Sequence, residues 1–264
     1  MKLSAIKSCY LGPDISPEQF IAEHFFIFVA QGKISGYDGH RHHQLLAGGS
    51  CLVRRNQLFR YNKEVVDGRF EKIVIILEQP FLRECQRKYQ IASATAQTQE
   101  VFLPLPQDPL LEHYIHSLTP YYSGSGQIDK RFEGLKREEL LLILLQLQPA
   151  LAEVLFDFTT PGRLDLKAFM QHNYKFNVSI ERFAYLSGRS LSAFKRDFKQ
   201  IFQLSPASWL TARRLDEAHF LMEHQQQLPS AFYLDLGFED LTHFSHAFKK
   251  RFGYPPSALK ARAL

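Results

Sequence analysis

The stretch Ser190-Leu191-Ser192-Ala193-Phe194-Lys195-Arg196-Asp197-Phe198-Lys199-Gln200-Ile201-Phe202 decides how this chain folds. Its phenylalanines stand at i, i+4 and i+8, a spacing that lays an apolar stripe along one face of an α-helix. Ser190 can cap the helix N-terminus. Ser192, Lys195, Arg196 and Lys199 fall on the face away from the stripe. Fifty residues on, the pattern returns as Asp240-Leu241-Thr242-His243-Phe244-Ser245-His246-Ala247-Phe248-Lys249-Lys250-Arg251-Phe252. Cap meets cap, each Phe meets a Phe, and Pro206 meets Pro256. The second polar face carries Thr242, Ser245, His246, Lys249 and Lys250.

Each copy is preceded by a short helix and a glycine turn. Ser179 caps a helix over 180–186 ahead of Ser187-Gly188, and Pro229 opens one that ends at Gly237. Asp165 caps a further helix through Tyr174, and a longer one over 207–224 joins the copies. A short helix, a turn and a helix buried on one face make a helix-turn-helix, whose second helix enters the DNA major groove. Arg and Lys can reach guanine O6/N7, and Ser, Thr and His are short partners for base edges or phosphates. Two such helices on one rigid chain could read successive major grooves about 34 Å apart. A plain helical bundle with a solvated basic face competes for a single copy, but a matched pair argues against it. Charge agrees with this reading. Residues 165–264 hold 14 Lys/Arg against 9 Asp/Glu and residues 1–164 hold 18 of each, so all of the net +5 lies in the last hundred residues. A local basic excess suits a polyanionic partner, double-stranded DNA.

Residues 1–105 read mainly as short strands. Phe25-Phe26-Ile27-Phe28-Val29 and Ile73-Val74-Ile75-Ile76-Leu77 are compact apolar runs, with Gly32, Gly36, Gly39, Gly48-Gly49 and Gly68 as punctuation. The pattern predicts an antiparallel β-barrel or sandwich. Residues 106–160 turn helical: Leu110, Leu111, Tyr114, Ile115 and Leu118 mark one helix, stopped by Pro120 and the loop 123–126. A second spans about 131–148, apolar nearly all round over 140–145, so it is a core helix, a dimer contact or both. Thr159-Thr160-Pro161-Gly162 reads as a linker, and residues 161–264 as all-α.

Four stretches then carry a family resemblance: Phe183-Ala184-Tyr185-Leu186-Ser187-Gly188-Arg189-Ser190; Phe194-Lys195-Arg196-Asp197-Phe198-Lys199; Arg214-Leu215-Asp216-Glu217-Ala218; and Gly237-Phe238-Glu239-Asp240 through Phe248-Lys249-Lys250-Arg251-Phe252-Gly253-Tyr254-Pro255-Pro256. Together they resemble the AraC/XylS family of bacterial transcription regulators. The resemblance implies base contacts from Ser192, Lys195 and Arg196 in the first recognition helix and from Leu241, Thr242, Ser245 and His246 in the second. Tyr233 stands where the family usually has a small Ala. Gln203 replaces the Gly that ends the first recognition helix, which Gly253 keeps in the second. The N-terminal half is similar to sensor domains of the type III secretion activator branch: a cupin-like small β-barrel followed by helices. The predicted class is therefore α+β, with a cupin-like sensor domain over 1–105, a helical segment over 106–160 that is a candidate for dimerisation, and the DNA-binding domain over 161–264. Such a regulator has RNA polymerase as a partner, and a homodimer is a further expectation. Its effector is a small molecule in the barrel or a partner protein; the residues do not choose.

Little else calls for chemistry. His40, His42 and His43, with His24 upstream, form the one cluster that suggests a metal, but the carboxylate a cupin site needs is missing until Glu64. A solvated hairpin is the plainer reading, so no metal and no cofactor are expected. Cys9, Cys51 and Cys85 are odd in number and form no CxxC, which fits reduced, buried thiols. The longest apolar run falls far short of the ~20 residues of a membrane helix, and the expectation is a cytoplasmic protein without membrane spans. No nucleophile–base constellation stands out, so an enzyme is not expected. A cupin-like metalloenzyme and a protein-binding adaptor are the alternatives.

Overall fold

The computed structural model describes residues 6–11, 19–92, 98, 100–121 and 130–260. The chain divides into two compact units, Met1–Thr159 and Thr160–Leu264. The first runs β1 (Ile6–Leu11), β2 (Phe20–Ile21), β3 (His24–Gln31), β4 (Lys33–Tyr37), β5 (His42–Leu46), β6 (Ser50–Val53), β7 (Gln57–Leu58), β8 (Arg60–Glu64) and β9 (Phe70–Leu77). Then come α1 (Gln79–Lys88), β10 (Phe102–Pro104), α2 (Pro109–Leu118), α3 (Lys130–Leu147) and α4 (Leu151–Leu155).

Strands β1-β9-β3-β6-β10 form one five-stranded sheet, with β5-β4-β8 and β2-β7 as separate smaller ones. Successive side chains of a strand point to opposite faces, and both faces of the large sheet are covered. Phe26, Ile73, Ile75 and Leu77 pack with Leu82 of α1, Tyr114 of α2, Leu140, Leu141 and Leu144 of α3 and Val154 of α4. Ile27, Val29, Val74 and Ile76 face the other way, onto Ile34, Phe59 and Phe70. Burial on both faces is why residues 73–77 are apolar without alternation.

Three expectations are corrected. The sheets are not one closed barrel: among the described residues they are hydrogen-bonded separately, and β2 and β7 pair only with each other. The large sheet is not wholly antiparallel, since β1 pairs parallel with β9 from Ile6↔Phe70 to Leu11↔Ile75. A helix, α1, interrupts the strand-rich region; Pro80 lies in its first turn, Leu82 and Cys85 are buried, and Arg87 and Lys88 oppose the negative end of its dipole. The helical segment shares the sheet's core, and within α3 the apolar run divides. Leu140, Leu141, Ile143 and Leu144 are buried, while Leu142 stays exposed with Leu135 and Phe132. Buried Arg137 fastens α3 to the end of β9: its Nε donates to the Ile76 carbonyl at 2.9 Å, it pairs with Glu78, and it lies over the Phe81 ring. The loop 123–126 lies outside the described residues, as does the Cys9 side chain. Cys51 and Cys85 are buried free thiols, and burial raises both pKa values.

The histidines are dispersed in role. His43 Nε2 pairs with Asp38 Oδ2 at 2.6 Å, His42 packs on Tyr37, and the His40 amide donates to Asp38 in the turn between β4 and β5. His24 is buried in β3: its Nδ1 accepts from the Arg55 amide at 3.3 Å, and its Nε2 has no partner among the described residues. Burial, reinforced by the Arg55 and Arg54 charges, pushes its pKa down to about 3. The fold therefore holds His24 neutral while the unfolded chain protonates it near pH 6.5, so the unfolded state binds more protons between those values. Stability is complete above pH 6.5 and is lost as pH falls toward 3, by about 2 kcal/mol at pH 5. Urea titrations of the wild type and His24→Gln between pH 7 and 5 are expected to show a flatter pH dependence in the variant. Equal slopes would overturn this account.

Candidate nucleic-acid interface

The second unit is all helix: α5 (Leu166–Asn173), α6 (Ile180–Leu186), α7 (Leu191–Phe202), α8 (Pro206–His224), α9 (Pro229–Phe232), α10 (Leu241–Phe252) and α11 (Ser257–Lys260). The caps expected from sequence are formed. The Asp165 side chain accepts from the amides of Lys167 and Ala168, Ser179 from Arg182, Ser190 from Ala193 and Asp240 from His243. Each satisfies amides that a helix N-terminus leaves open.

Two helix-turn-helix arrangements result, α6–α7 and α9–α10. The turn of the first needs glycine twice over. Gly188 has φ +68°, and a Cβ there would collide with the Gly162 backbone and lie 2.6 Å from the Arg163 nitrogen. The Phe stripes lie inward: Phe194, Phe198, Phe244 and Phe248 are wholly buried. Phe198 meets Trp209 of α8 edge-on at 5.6 Å, and Phe202 lies 4.6 Å from the same ring. Phe244 and Phe248 pack with Leu215 and Ala218 of α8 and with Phe232, Leu236 and Phe238. The long helix is thus shared by both copies.

With the Phe faces buried, the opposite faces are turned to solvent. Ser192, Lys195, Arg196 and Lys199 are exposed on α7, and Leu241, Thr242, His246, Lys249 and Lys250 on α10. Ser245 is half-buried, and its hydroxyl donates to the Leu241 carbonyl at 2.8 Å, which leaves its oxygen only as an acceptor. Gln203 closes α7 in the left-handed conformation at φ 57°, as Gly253 closes α10 at φ 83°. The first recognition helix therefore ends where the second does, despite the missing glycine. Tyr233 is half-buried beside the second core.

Sequence reasoning passed over the polar frame around these helices. Asp197, on the edge of the α7 face, accepts from Arg163 at 3.0 Å, Arg189 at 3.2 Å and Arg196 at 3.2 Å. Burial raises its pKa, but the Arg189 and Arg196 hydrogen bonds outweigh it and hold the carboxyl below its usual range. Arg251 grips Asp216 of α8 through Nε and one terminal nitrogen, which together donate to both carboxylate oxygens. Arg214 of α8 has its guanidinium among three backbone carbonyls. Arg189, Arg214 and Arg251 were visible in motifs, but not that Arg189 would meet Asp197 eight residues on, Arg251 would meet Asp216, or Arg214 would meet carbonyls up to 40 residues away.

Two matched recognition helices on one connecting helix define a tandem helix-turn-helix domain. Comparison with known proteins agrees: residues 184–262 match a helix-turn-helix domain family, and residues 24–154 match the ExsA N-terminal regulatory domain. Both matches fit the AraC/XylS resemblance of the sequence motifs. It is similar to the virulence regulon transcriptional activator VirF of Yersinia enterocolitica, 28% identical over 163 residues that cover 56% of this chain and 58% of that protein. It is also similar to the transcriptional regulator ExsA of Pseudomonas aeruginosa, 29% identical over 125 residues that cover 47% of this chain and 45% of that one. The chain spans about half the length of the curated relatives it matches. A crystal structure of apo ToxT from Vibrio cholerae aligns over 91% of this chain and 89% of that one, with 12% identity and a TM-score of 0.43. No helix of the described residues is long and apolar enough to cross a membrane.

Proposed function

We propose that this chain is a sequence-specific DNA-binding transcriptional regulator that reads two adjacent major grooves. One observation carries the reading: at positions fifty residues apart, two helices bury the same Phe stripe and expose the same polar, basic face. Ser192, Lys195 and Arg196 supply most base discrimination. Leu241, Thr242, Ser245 and His246 anchor the second groove, and Lys199, Lys249 and Lys250 add phosphate contacts. In this reading residues 161–264 are the DNA-binding domain, residues 1–105 a sensor domain and residues 106–160 a helical segment. The chain is cytoplasmic, recruits RNA polymerase and catalyses no reaction. Control passes through the N-terminal unit by a small ligand, a partner protein or dimerisation. The exposed Phe132, Leu135 and Leu142, three and seven residues apart on α3, favour a homodimer.

The operator is obtained by recovering bound fragments from genomic DNA and finding one enriched motif. On that operator, affinity is expected to fall by about 10³-fold or more between 50 and 200 mM salt, since binding through several phosphates releases their counterions. A flat response in a gel-shift titration would reject a DNA-binding function.

A further inference from the structure

The two recognition helices can serve one operator only if something fixes the second helix-turn-helix against the first. A planar guanidinium offers five donors in a fixed fork. That of Arg214 spends them on three carbonyls from two places: Nε on Tyr174 at 2.7 Å, one terminal nitrogen on Phe176 at 2.8 Å and the other on Gly237 at 2.9 Å. Tyr174 and Phe176 follow the C-terminal end of α5, where open carbonyls and the helix dipole favour a cation. Gly237 is the turn of the second helix-turn-helix. Among the described residues no carboxylate pairs with Arg214, so backbone carbonyls alone compensate its partial burial. That burial lowers its pKa to about 10, which leaves it cationic at neutral pH.

The contact is close enough to admit only glycine at the turn. Gly237 has φ +81°, and a Cβ there would lie 2.7 Å from the Lys175 carbonyl oxygen and 2.8 Å from Arg214 Cζ. Two side-chain contacts flank it: Asn177 donates to Glu239 at 3.1 Å, and Lys175 pairs with Glu217 at 3.2 Å. Residues 174–177 precede the first helix-turn-helix and residues 237–239 form the turn of the second. The cluster therefore ties the segment ahead of the first reader to the turn of the second.

We propose that Arg214 is a positioning residue that docks the Gly237 turn onto the 174–177 segment and so sets the operator spacing the protein accepts. It touches no base. This inference rests on the two-groove reading above. One inserted base pair turns the second subsite by about 35° and moves it about 3.4 Å, which a rigidly docked pair of helices cannot follow and a loosened pair can.

The test measures binding of the full chain, by fluorescence anisotropy, to the recovered operator and to versions with one base pair added or removed between subsites. A duplex carrying the first subsite alone is measured in parallel. The wild type is expected to lose tenfold or more at either altered spacing. Arg214→Met is expected to bind all three spacings within about threefold of one another and the single-subsite duplex within twofold of wild type. Arg214→Lys, which keeps the charge without the fork, is expected to fall between them. Glu239→Ala, which removes only a flanking contact, serves as the second variant should Arg214→Met not fold, and is expected to halve the spacing penalty or more. Variants that keep the full wild-type penalty would overturn the positioning role alone. Equal losses on every duplex, the single-subsite one included, would show a merely structural role and overturn it as well. A wild type that binds no duplex would overturn the two-groove reading with it.

Discussion

Replacing Lys195 and Arg196 together by alanine is expected to cut affinity for the recovered operator by roughly 30- to 10⁴-fold, at about 1–3 kcal/mol for each lost base contact. Both side chains are exposed on α7, opposite a wholly buried Phe stripe, so truncation leaves the core untouched. The loss is expected to be selective: affinity for random DNA falls less, and discrimination at the contacted base pairs relaxes. Thr242→Ala with His246→Ala is expected to cost less, since α10 offers an exposed leucine and a serine already bonded to its own backbone where α7 offers two long cations. A competition gel shift on operator and scrambled duplexes measures both. The division of labour fails if the α7 pair stays within twofold of wild type while the α10 pair abolishes binding.

Phe198→Ala is expected to destabilise the second unit by about 3–5 kcal/mol. That is much of the 5–15 kcal/mol typical of a whole domain. Phe198 is wholly buried and touches Phe194 at 5.5 Å, Phe202 at 4.4 Å and Trp209 at 5.6 Å, so its removal opens a void under the first helix-turn-helix. Trp209 is the sole tryptophan of the chain, and its fluorescence reports on this site. Urea unfolding followed by that signal should shift to a lower midpoint with the slope unchanged. Phe248→Ala, its counterpart fifty residues on, should destabilise comparably by circular dichroism while perturbing the folded-state Trp209 emission less. A Phe198→Ala midpoint within error of wild type would mean that the stripe is not the core of the unit.

Legibility differed between the halves for reasons of range. In the second unit the signals are local: a 3.6-residue period, a cap and a stop all lie within a few turns. Ser179, Ser190 and Asp240 cap the helices expected of them, and α7 and α10 begin and end at equivalent residues. Gln203 stands where the second copy has Gly253, yet it takes the same left-handed conformation, its amide donating to the Lys199 carbonyl and its side chain to that of Gln200. In the first unit the deciding contacts are distant. The apolar run 73–77 announced a strand, but no local feature announced that β1 would lie parallel beside it. Helix α1 carries too short an apolar pattern to stand out among strands, and only the core beneath Leu82 and Cys85 selects it.

The sequence by itself determined the matched recognition helices, their buried stripes, their basic faces and the class of polymer they suit. These follow from spacing and residue chemistry along a few helical turns. Tertiary structure alone decided the open sheets in place of a closed barrel, the neutral His24 and the division of α3 into buried and exposed leucines. It alone placed Arg214 among three carbonyls, two from the 174–177 segment and one from the turn of the second helix-turn-helix. Each of these depends on which distant backbone groups meet in space, and periodicity along the chain carries no record of that.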